Sequence, residues 1–239
     1  MDIILHGVKE GLGLIISLDP DLIQVTLLSI QVSLTALLIA GILGIPAGTF
    51  LALKDFYGRK LLLNLTYTLM GLPPVLAGLI VFLFLSNRGP LGEFQLLFTP
   101  GAMIIAQVLL GFPLVAGLTA RSVMTQRQEV YDTSVMLGAT RSQAVWTIIR
   151  ESRIGIIAAL TTALGRLIAE VGAVMMVGGN IQGKTRVLTT SIVLETRMGN
   201  DSRALGIGII LLILAFIIML IILKLEKRSF KDDSTIQII

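Results

Sequence analysis

Asp132-Thr133-Ser134-Val135-Met136-Leu137-Gly138-Ala139-Thr140-Arg141-Ser142-Gln143-Ala144-Val145-Trp146-Thr147-Ile148 decides the reading of this chain. It is a soluble-looking loop set between long apolar runs. The pattern predicts a short helix, a corner at Gly138 and a second helix. Glycine at the corner permits a turn that a side chain would block. A rigid elbow on an otherwise lipid-buried chain is suited to passing force to something in the water phase.

Working outward, the composition places the rest of the chain in a membrane. Hydrophobic residues make up 54% and charged residues only 14%, where a soluble domain carries about 25% charged residues. The mean hydropathy is +0.90. No charge occurs in residues 22–53, 61–87, 94–120 or 204–223, and each block reaches the roughly 20 residues that cross a bilayer as a helix. A fifth run, residues 154–178, is long enough but contains Arg166 and Glu170. The expectation is an all-α integral membrane bundle of five spans. Residues 3–18 are apolar but interrupted by Lys9 and Glu10. With no basic start and no small-residue cleavage site, they read as an interfacial helix rather than a signal peptide. The expected organisation is an external segment at 1–21, a transmembrane domain at 22–228 with its polar loop at about 121–153, and a tail at 229–239. The tail is too short for a regulatory fold. The chain has no cysteine, which excludes disulfides and a thiol nucleophile.

Lysine and arginine set the expected orientation. Lys54, Arg59, Lys60, Arg121, Arg127, Arg141, Arg150, Arg153, Lys224, Lys227, Arg228 and Lys231 fall on one side; Lys9, Arg88, Lys184, Arg186, Arg197 and Arg203 fall on the other. The richer side is cytoplasmic, so the N-terminus lies outside and the C-terminus inside. The elbow then faces the cytoplasm. Basic residues at span ends suit anionic lipid headgroups and are not a nucleic-acid signal.

Inside the spans, Ala40, Gly44, Gly48 and Ala52 form one stripe of small residues, and Thr161, Gly165, Ala169 and Ala173 form another. Such stripes let helices approach closely, either within one subunit or between subunits. Gly71-Leu72-Pro73-Pro74 removes two backbone donors near the middle of span two and predicts a break or kink. Gly111-Phe112-Pro113 predicts a second kink in span three. Broken helices at mid-depth point to a transport path. Arg166 and Glu170 are four residues apart, with Thr162 on the same face. An intramembrane arginine costs roughly 2.5–3.5 kcal/mol on insertion scales and needs a partner. Glu170 at i+4 is the expected one, as a self-neutralising pair or beside a polar conduit.

Residues 178–185, Gly-Gly-Asn-Ile-Gln-Gly-Lys-Thr, fit the phosphate-loop pattern. That pattern requires a strand before it and a helix after it, and here a membrane span precedes it on the outer side. A glycine-rich backbone with Lys184 and Arg186 could instead present amides and positive charge to a tetrahedral oxyanion, or to an acidic docking surface, at the outer mouth. His6 reads as interfacial, Trp146 as packed within its helix, and Glu195 and Asp201 as paired locally. No nucleophile–base pair or metal-ligand spacing stands out, so the expected catalytic and metal sets are empty.

The polar loop resembles the EAA loop of ABC importer permeases, whose pattern is E-A-A-x-x-x-G, nine residues, then I-x-L-P. Asp132, Thr133 and Ser134 occupy the E-A-A places, Gly138 the glycine and Ile148 the isoleucine, while Arg150 and Glu151 replace Leu-Pro. The second loop helix is therefore expected to run on past its usual end. Gly-Leu-Pro-Pro-Val-Leu-Ala-Gly in span two and Ile168-Ala169-Glu170-Val171-Gly172-Ala173 look like the molybdate branch of these permeases. The run from Gly178 through Thr-Arg186, followed by Thr-Ser-Ile-Val-Leu-Glu-Thr, looks most like tungstate-uptake permeases. The resemblance covers about residues 22–228.

That resemblance implies a type I ABC importer permease (MetI-like) fold and a homodimer in the cell membrane. It implies cytoplasmic ATPase subunits that hold ATP and Mg and grip the loop through Asp132, Thr133, Ser134, Leu137, Gly138, Ala139, Thr140 and Ile148. It also implies an extracytoplasmic oxyanion-binding protein docking near Lys184 and Arg186, and a path past Pro73, Pro74, Arg166, Glu170 and Gly172. The implied cargo is tungstate, with molybdate or sulfate as alternatives. From another class, an ion-coupled secondary carrier would use Arg166 and Glu170 as a relay, though no internal repeat supports it. A purely structural membrane subunit is a third reading.

Overall fold

The chain was analysed as a computed structural model that describes residues 19–236, together with Gly7, Lys9 and Gly13; side chains of its last helix are described to Ile222 and at Lys224. The interfacial reading of residues 1–21 lies outside the described residues except at Gly7, Lys9, Gly13 and residues 19–21, and His6 lies outside them as well. Among the described residues the secondary structure is helical, without strands. The helices are α1 (Pro20–Leu53), α2 (Arg59–Met70), α3 (Pro74–Leu85), α4 (Pro100–Met136), α5 (Arg141–Glu151), α6 (Arg153–Ile168), α7 (Gly172–Gly178), α8 (Leu188–Arg197) and α9 (Asp201–Ile236). A single 3-10 turn, Gly92–Phe94, precedes α4. Helix α9 stays helical to Ile236, through the position where a separate tail was expected.

Among the described residues, three helices are long and apolar enough to cross a membrane: α1, α4 and the Asp201–Ile222 part of α9. Two bent pairs, α2 with α3 and α6 with α7, bring the number to five if each is one span. The two charge-free or nearly charge-free blocks read as single spans from sequence are thus each interrupted, at residues 71–73 and 169–171. Pro113 lies inside α4 without interrupting it.

The chain divides into two compact units, residues 1–35, 74–107 and 168–239 in the first and 36–73 and 108–167 in the second. In the second unit, the stripe Ala40, Gly44, Gly48, Ala52 is buried against α4. A Cβ on Gly48 would lie 2.3 Å from the Ala116 carbonyl oxygen, and one on Gly44 3.0 Å from Val115. This stripe therefore serves packing within the subunit. Leu51, Ala52, Leu63, Ala120, Val123 and Ile148 form a core nearby, joining α1, α2, α4 and α5. The other stripe behaves differently. Thr161 is buried, but Gly165 and Ala169 are exposed, and α6 ends at Ile168 before the stripe is complete.

In the first unit, α3 packs against α7. The contact is close because Gly78 has no side chain: a Cβ there would sit 2.8 Å from the Ala173 Cα. Helix α8 packs against α9. Its first amide, on Leu188, donates to Ser29 Oγ of α1 at 2.9 Å. Leu212, Ile213, Phe216, Ile217, Leu220 and Ile221 of α9 face outward, as suits a helix whose surroundings are lipid rather than water.

Gly48→Ala forces a methyl group into the Ala116 carbonyl and should destabilise the detergent-solubilised chain by about 1–3 kcal/mol. Gly165→Ala, with nothing within 4 Å of its Cβ, should leave the melting temperature unchanged or raise it slightly. Equal melting temperatures for the two variants would show that the α1–α4 approach is not as tight as described.

Candidate functional site

The two helix breaks are each satisfied by one charged side chain. In an unbroken helix, the N–H of residue 74 would bond the carbonyl of Met70, but Pro74 has no N–H. Arg166 supplies the missing donor: its Nη1 donates to the Met70 oxygen at 2.7 Å and its Nη2 to the Leu72 oxygen at 3.0 Å. The last turn of α2 tightens around it, with Gly71 N donating to Thr68 O and Leu72 N to Leu69 O, both at 3.0 Å. A cation at a helix C-terminus also opposes the negative end of the helix dipole.

At the second break, the buried Glu170 carboxylate accepts from Ala173 N at 2.9 Å, within the first turn of α7. Its backbone oxygen accepts from Thr189 Oγ1 of α8 at 2.9 Å. The i, i+4 pair expected from spacing is not what the structure builds. Helix α6 stops at Ile168, so the two residues do not share a helical face, and each side chain is committed to a different helix end. Pro73 lies in the first break, Pro74 opens α3, and Gly172 opens α7 with its Cβ position 2.9 Å from Val75.

At the elbow, α4 runs unbroken to Met136, so Asp132, Thr133 and Ser134 form its last turns rather than a separate short helix. Gly138 has φ +85° and nothing within 4 Å of its Cβ, so glycine is required there for backbone conformation and not for space. Its N–H donates to Val135 O at 2.9 Å, and Ala139 N donates to Ser134 O at 3.0 Å. Thr140 then caps α5 in a capping box with Gln143. Helix α5 gives way to α6 across one residue, Ser152, whose N–H still donates to Ile148 O at 2.9 Å. Ile148 is 1% exposed and anchors α5 in the core of the second unit, whereas Met136, Leu137 and Trp146 are 86%, 84% and 69% exposed. Trp146 therefore does not pack within its helix as expected from sequence; it is presented outward.

Near the elbow, sequence reading missed a brace. Asp55 bonds Arg59 Nη1 at 2.9 Å and Arg127 Nη2 at 2.8 Å. The same arginines cap the end of α1, Arg59 donating to Leu51 O and Ala52 O and Arg127 to Ala52 O. The Arg127 hydrogen bond and charge, with Arg59 adding, hold the Asp55 carboxyl below its ordinary range. The brace is therefore intact above the usual carboxylate pKa and is lost only as pH falls through that depressed value.

In the segment after α7, Gly179, Asn180 and Gly183 have φ of +70°, +52° and +74°. Thr185 is buried, donates to Gly178 O and accepts from Ile181 N. The hydroxyl that a phosphate loop would offer to a metal is thus consumed, and a helix rather than a strand precedes the run. Lys184 is exposed and Arg186 half-buried. Helix α8 follows; it was not read from sequence because its buried positions, Thr189, Thr190 and Ser191, are polar.

An all-helical chain with broken mid-membrane helices and a presented elbow matches the family described as binding-protein-dependent transport system inner membrane component over residues 44–231, and it belongs to that family. It is a membrane-embedded ABC transporter permease. It is 42% identical over 228 residues to the tungstate uptake system permease protein TupB of Peptoclostridium acidaminophilum, covering 95% of this chain and 100% of the relative. It is 33% identical over 227 residues to the TupB of Campylobacter jejuni subsp. jejuni, 95% of each chain. A probable anion ABC transporter permease protein of Haloferax volcanii is 40% identical over 198 residues, 81% of this chain and 85% of that one.

Arg166→Met leaves two carbonyls without donors and should cost about 1–3 kcal/mol for each. Glu170→Gln keeps an acceptor for Ala173 N and should cost less. Because the two charges serve different helix ends, their effects should add within about 0.5 kcal/mol in a double-mutant cycle read by thermal unfolding. A coupling energy well above that would restore the ion pair read from sequence.

Proposed function

We propose that this chain is the five-span permease subunit of an ATP-driven importer for tungstate, working as a homodimer with its N-terminus outside and its C-terminus inside. The observation that carries the reading is the elbow. Gly138 turns the chain sharply, Ile148 ties α5 to the core, and Met136, Leu137 and Trp146 project from it. Exposed apolar residues on a rigid elbow form a docking surface for another protein. Here that protein is a cytoplasmic ATPase that holds ATP and Mg and contacts the elbow along Asp132, Thr133, Ser134, Leu137, Gly138, Ala139 and Thr140. Closure of two ATPase subunits pulls the elbows of two permeases together and switches the path from inward- to outward-facing.

The path runs beside the two helix breaks, past Pro73, Pro74, Arg166, Glu170 and Gly172. An extracytoplasmic oxyanion-binding protein docks near Lys184 and Arg186. Tungstate as cargo is supported by the TupB relatives.

Proteoliposomes holding this chain, the ATPase and the binding protein should take up tungstate only with ATP and only with the binding protein. Gly138→Val, which strains a positive-φ turn, should abolish uptake and co-purification of the ATPase while the chain still inserts. Preferential uptake of molybdate or sulfate would reassign the cargo. Uptake driven by a proton gradient without ATP would overturn the importer mechanism.

A further inference from the structure

Along the first turns of α1 runs a groove of about 500 Å³, bordered by Ile23, Gln24, Leu27, Leu28, Gln31 and, from the segment after α7, Lys184. All of these residues lie in the first unit. The volume is that of an ordinary ligand cleft, roughly 300–1,000 Å³. One contact fixes its rim: Gln24 Nε2 donates to the Gly183 oxygen at 3.1 Å, which holds the neighbouring Lys184 beside α1. The lining carries one charge, Lys184, and no carboxylate. Lys184 is exposed, and among the described residues its ammonium has neither an ion pair nor a hydrogen bond.

Gln31 is a second polar group without a side-chain partner among the described residues. It lies seven residues beyond Gln24, about 10 Å of helix rise, inside the charge-free block of α1. It is exposed, and its neighbours on the same face, Leu27 and Leu34, are 61% and 39% exposed. Hydrocarbon offers an amide no hydrogen bond, so a glutamine on such a face needs a polar occupant beside it. Long side chains on a helix lean toward its N-terminus. The Gln31 amide therefore lies over the turn of Leu27 and Leu28, between the lysine and the apolar face beyond.

In order along α1, the groove presents an unpaired cation, an amide and an apolar stripe. We propose that it binds one anionic phospholipid. The Lys184 ammonium pairs with the headgroup phosphate, the Gln31 amide donates to an oxygen of the glycerol backbone, and an acyl chain follows Leu27 and Leu34. A phospholipid entering the bilayer offers its phosphate, glycerol oxygens and hydrocarbon in that same order. The inference goes beyond the importer reading and rests only on the chain being embedded in a membrane. The lone charge selects the headgroup, because a zwitterionic lipid would bring its own cation beside Lys184. A free oxyanion would use the lysine alone and gain nothing from Ile23, Leu27 and Leu28. Arg186 does not line the groove and stays available to the docking proposed near it.

The test uses the full chain carrying Trp146→Phe, which removes its single tryptophan, and Leu27→Trp, at an exposed position in the groove. It is reconstituted in mixed vesicles of phosphatidylglycerol and phosphatidylcholine, with brominated chains on one lipid or the other. Bromine quenches tryptophan on contact, so fluorescence reads which lipid occupies the groove. Phosphatidylglycerol should be preferred by about fivefold or more, and the preference should shrink with added salt. Lys184→Ala should bring the ratio to about one, and Lys184→Glu should invert it. In a second arm, the unaltered full chain extracted into mild detergent should retain one phosphatidylglycerol by native mass spectrometry. Lys184→Ala and Gln31→Leu should each lower that retention by about threefold or more. Arg88→Ala, which removes an exposed charge outside the groove, should change retention by less than about twofold.

Equal quenching by the two lipids, or a preference that survives Lys184→Glu, overturns the site. Relief of quenching by free tungstate or phosphate does so too, by making an oxyanion the occupant. Absence of quenching by either lipid would show that protein, such as a second copy of this chain, covers the groove, and the site would fall. If the Leu27→Trp chain does not insert, retention of the two lipids by the unaltered chain decides the matter, and equal retention overturns the proposal.

Discussion

A backbone group freed by a broken helix inside a bilayer has no water to bond, so the protein must supply a partner. Much of this structure follows from that requirement. The break at 71–73 leaves the Met70 and Leu72 oxygens to Arg166, and the break at 169–171 places the Glu170 carboxylate on the amide of Ala173. At the end of α1 the same solution appears again, with Arg59 and Arg127 taking the oxygens of Leu51 and Ala52. In each case a charged residue that might be read as a site in its own right is first a helix cap, with a sign that suits the dipole end it meets.

Close packing supplies the second constraint. In lipid, apolar side chains gain little by leaving their surroundings, so helices associate through contact at short range. Gly48 lets α1 approach α4, and Gly78 lets α3 approach α7, within distances that a β-carbon essentially never shows. These contacts also explain why small-residue spacing is an incomplete guide: one stripe is buried along its length, while the other runs off the end of α6.

The two proposed docking regions each rest on their own unit of this framework. In the second unit, α4 overshoots its apolar block by more than four turns and ends in the Gly138 corner. Ile148 packs α5 into the core of the second unit, and the Asp55–Arg127 contact ties α4 to the chain just after α1. On the proposed outer side, the segment between α7 and α9 is not a loose loop. Three left-handed residues, the Thr185 hydrogen bonds and α8 give it a fixed shape, and that shape encloses a polar cavity.

The sequence by itself determined that the chain is helical and membrane-embedded, because charge-free blocks of this length leave no other way to satisfy the backbone. It also determined the Gly138 corner, which needs a positive φ, and the break at Pro73-Pro74, where two donors are missing. These are local properties carried by the residues concerned. Only the tertiary structure decided the rest. The Met70 oxygen that Arg166 bonds lies 96 residues away in the chain, and Arg127, the second partner of Asp55 beside Arg59, 72 residues away; neither of these pairings leaves a local spacing to read. The break beside Glu170 has no proline to announce it and depends on the Ala173 N–H and the Thr189 hydroxyl both donating to Glu170. Helix α8 buries threonines and a serine, so hydropathy hides it. Trp146 could be placed inside or outside only once Ala144 and Ile148 had taken the buried face of α5. Hydrogen-bond partners and faces are chosen by what the folded chain brings near, and that is information no single segment contains.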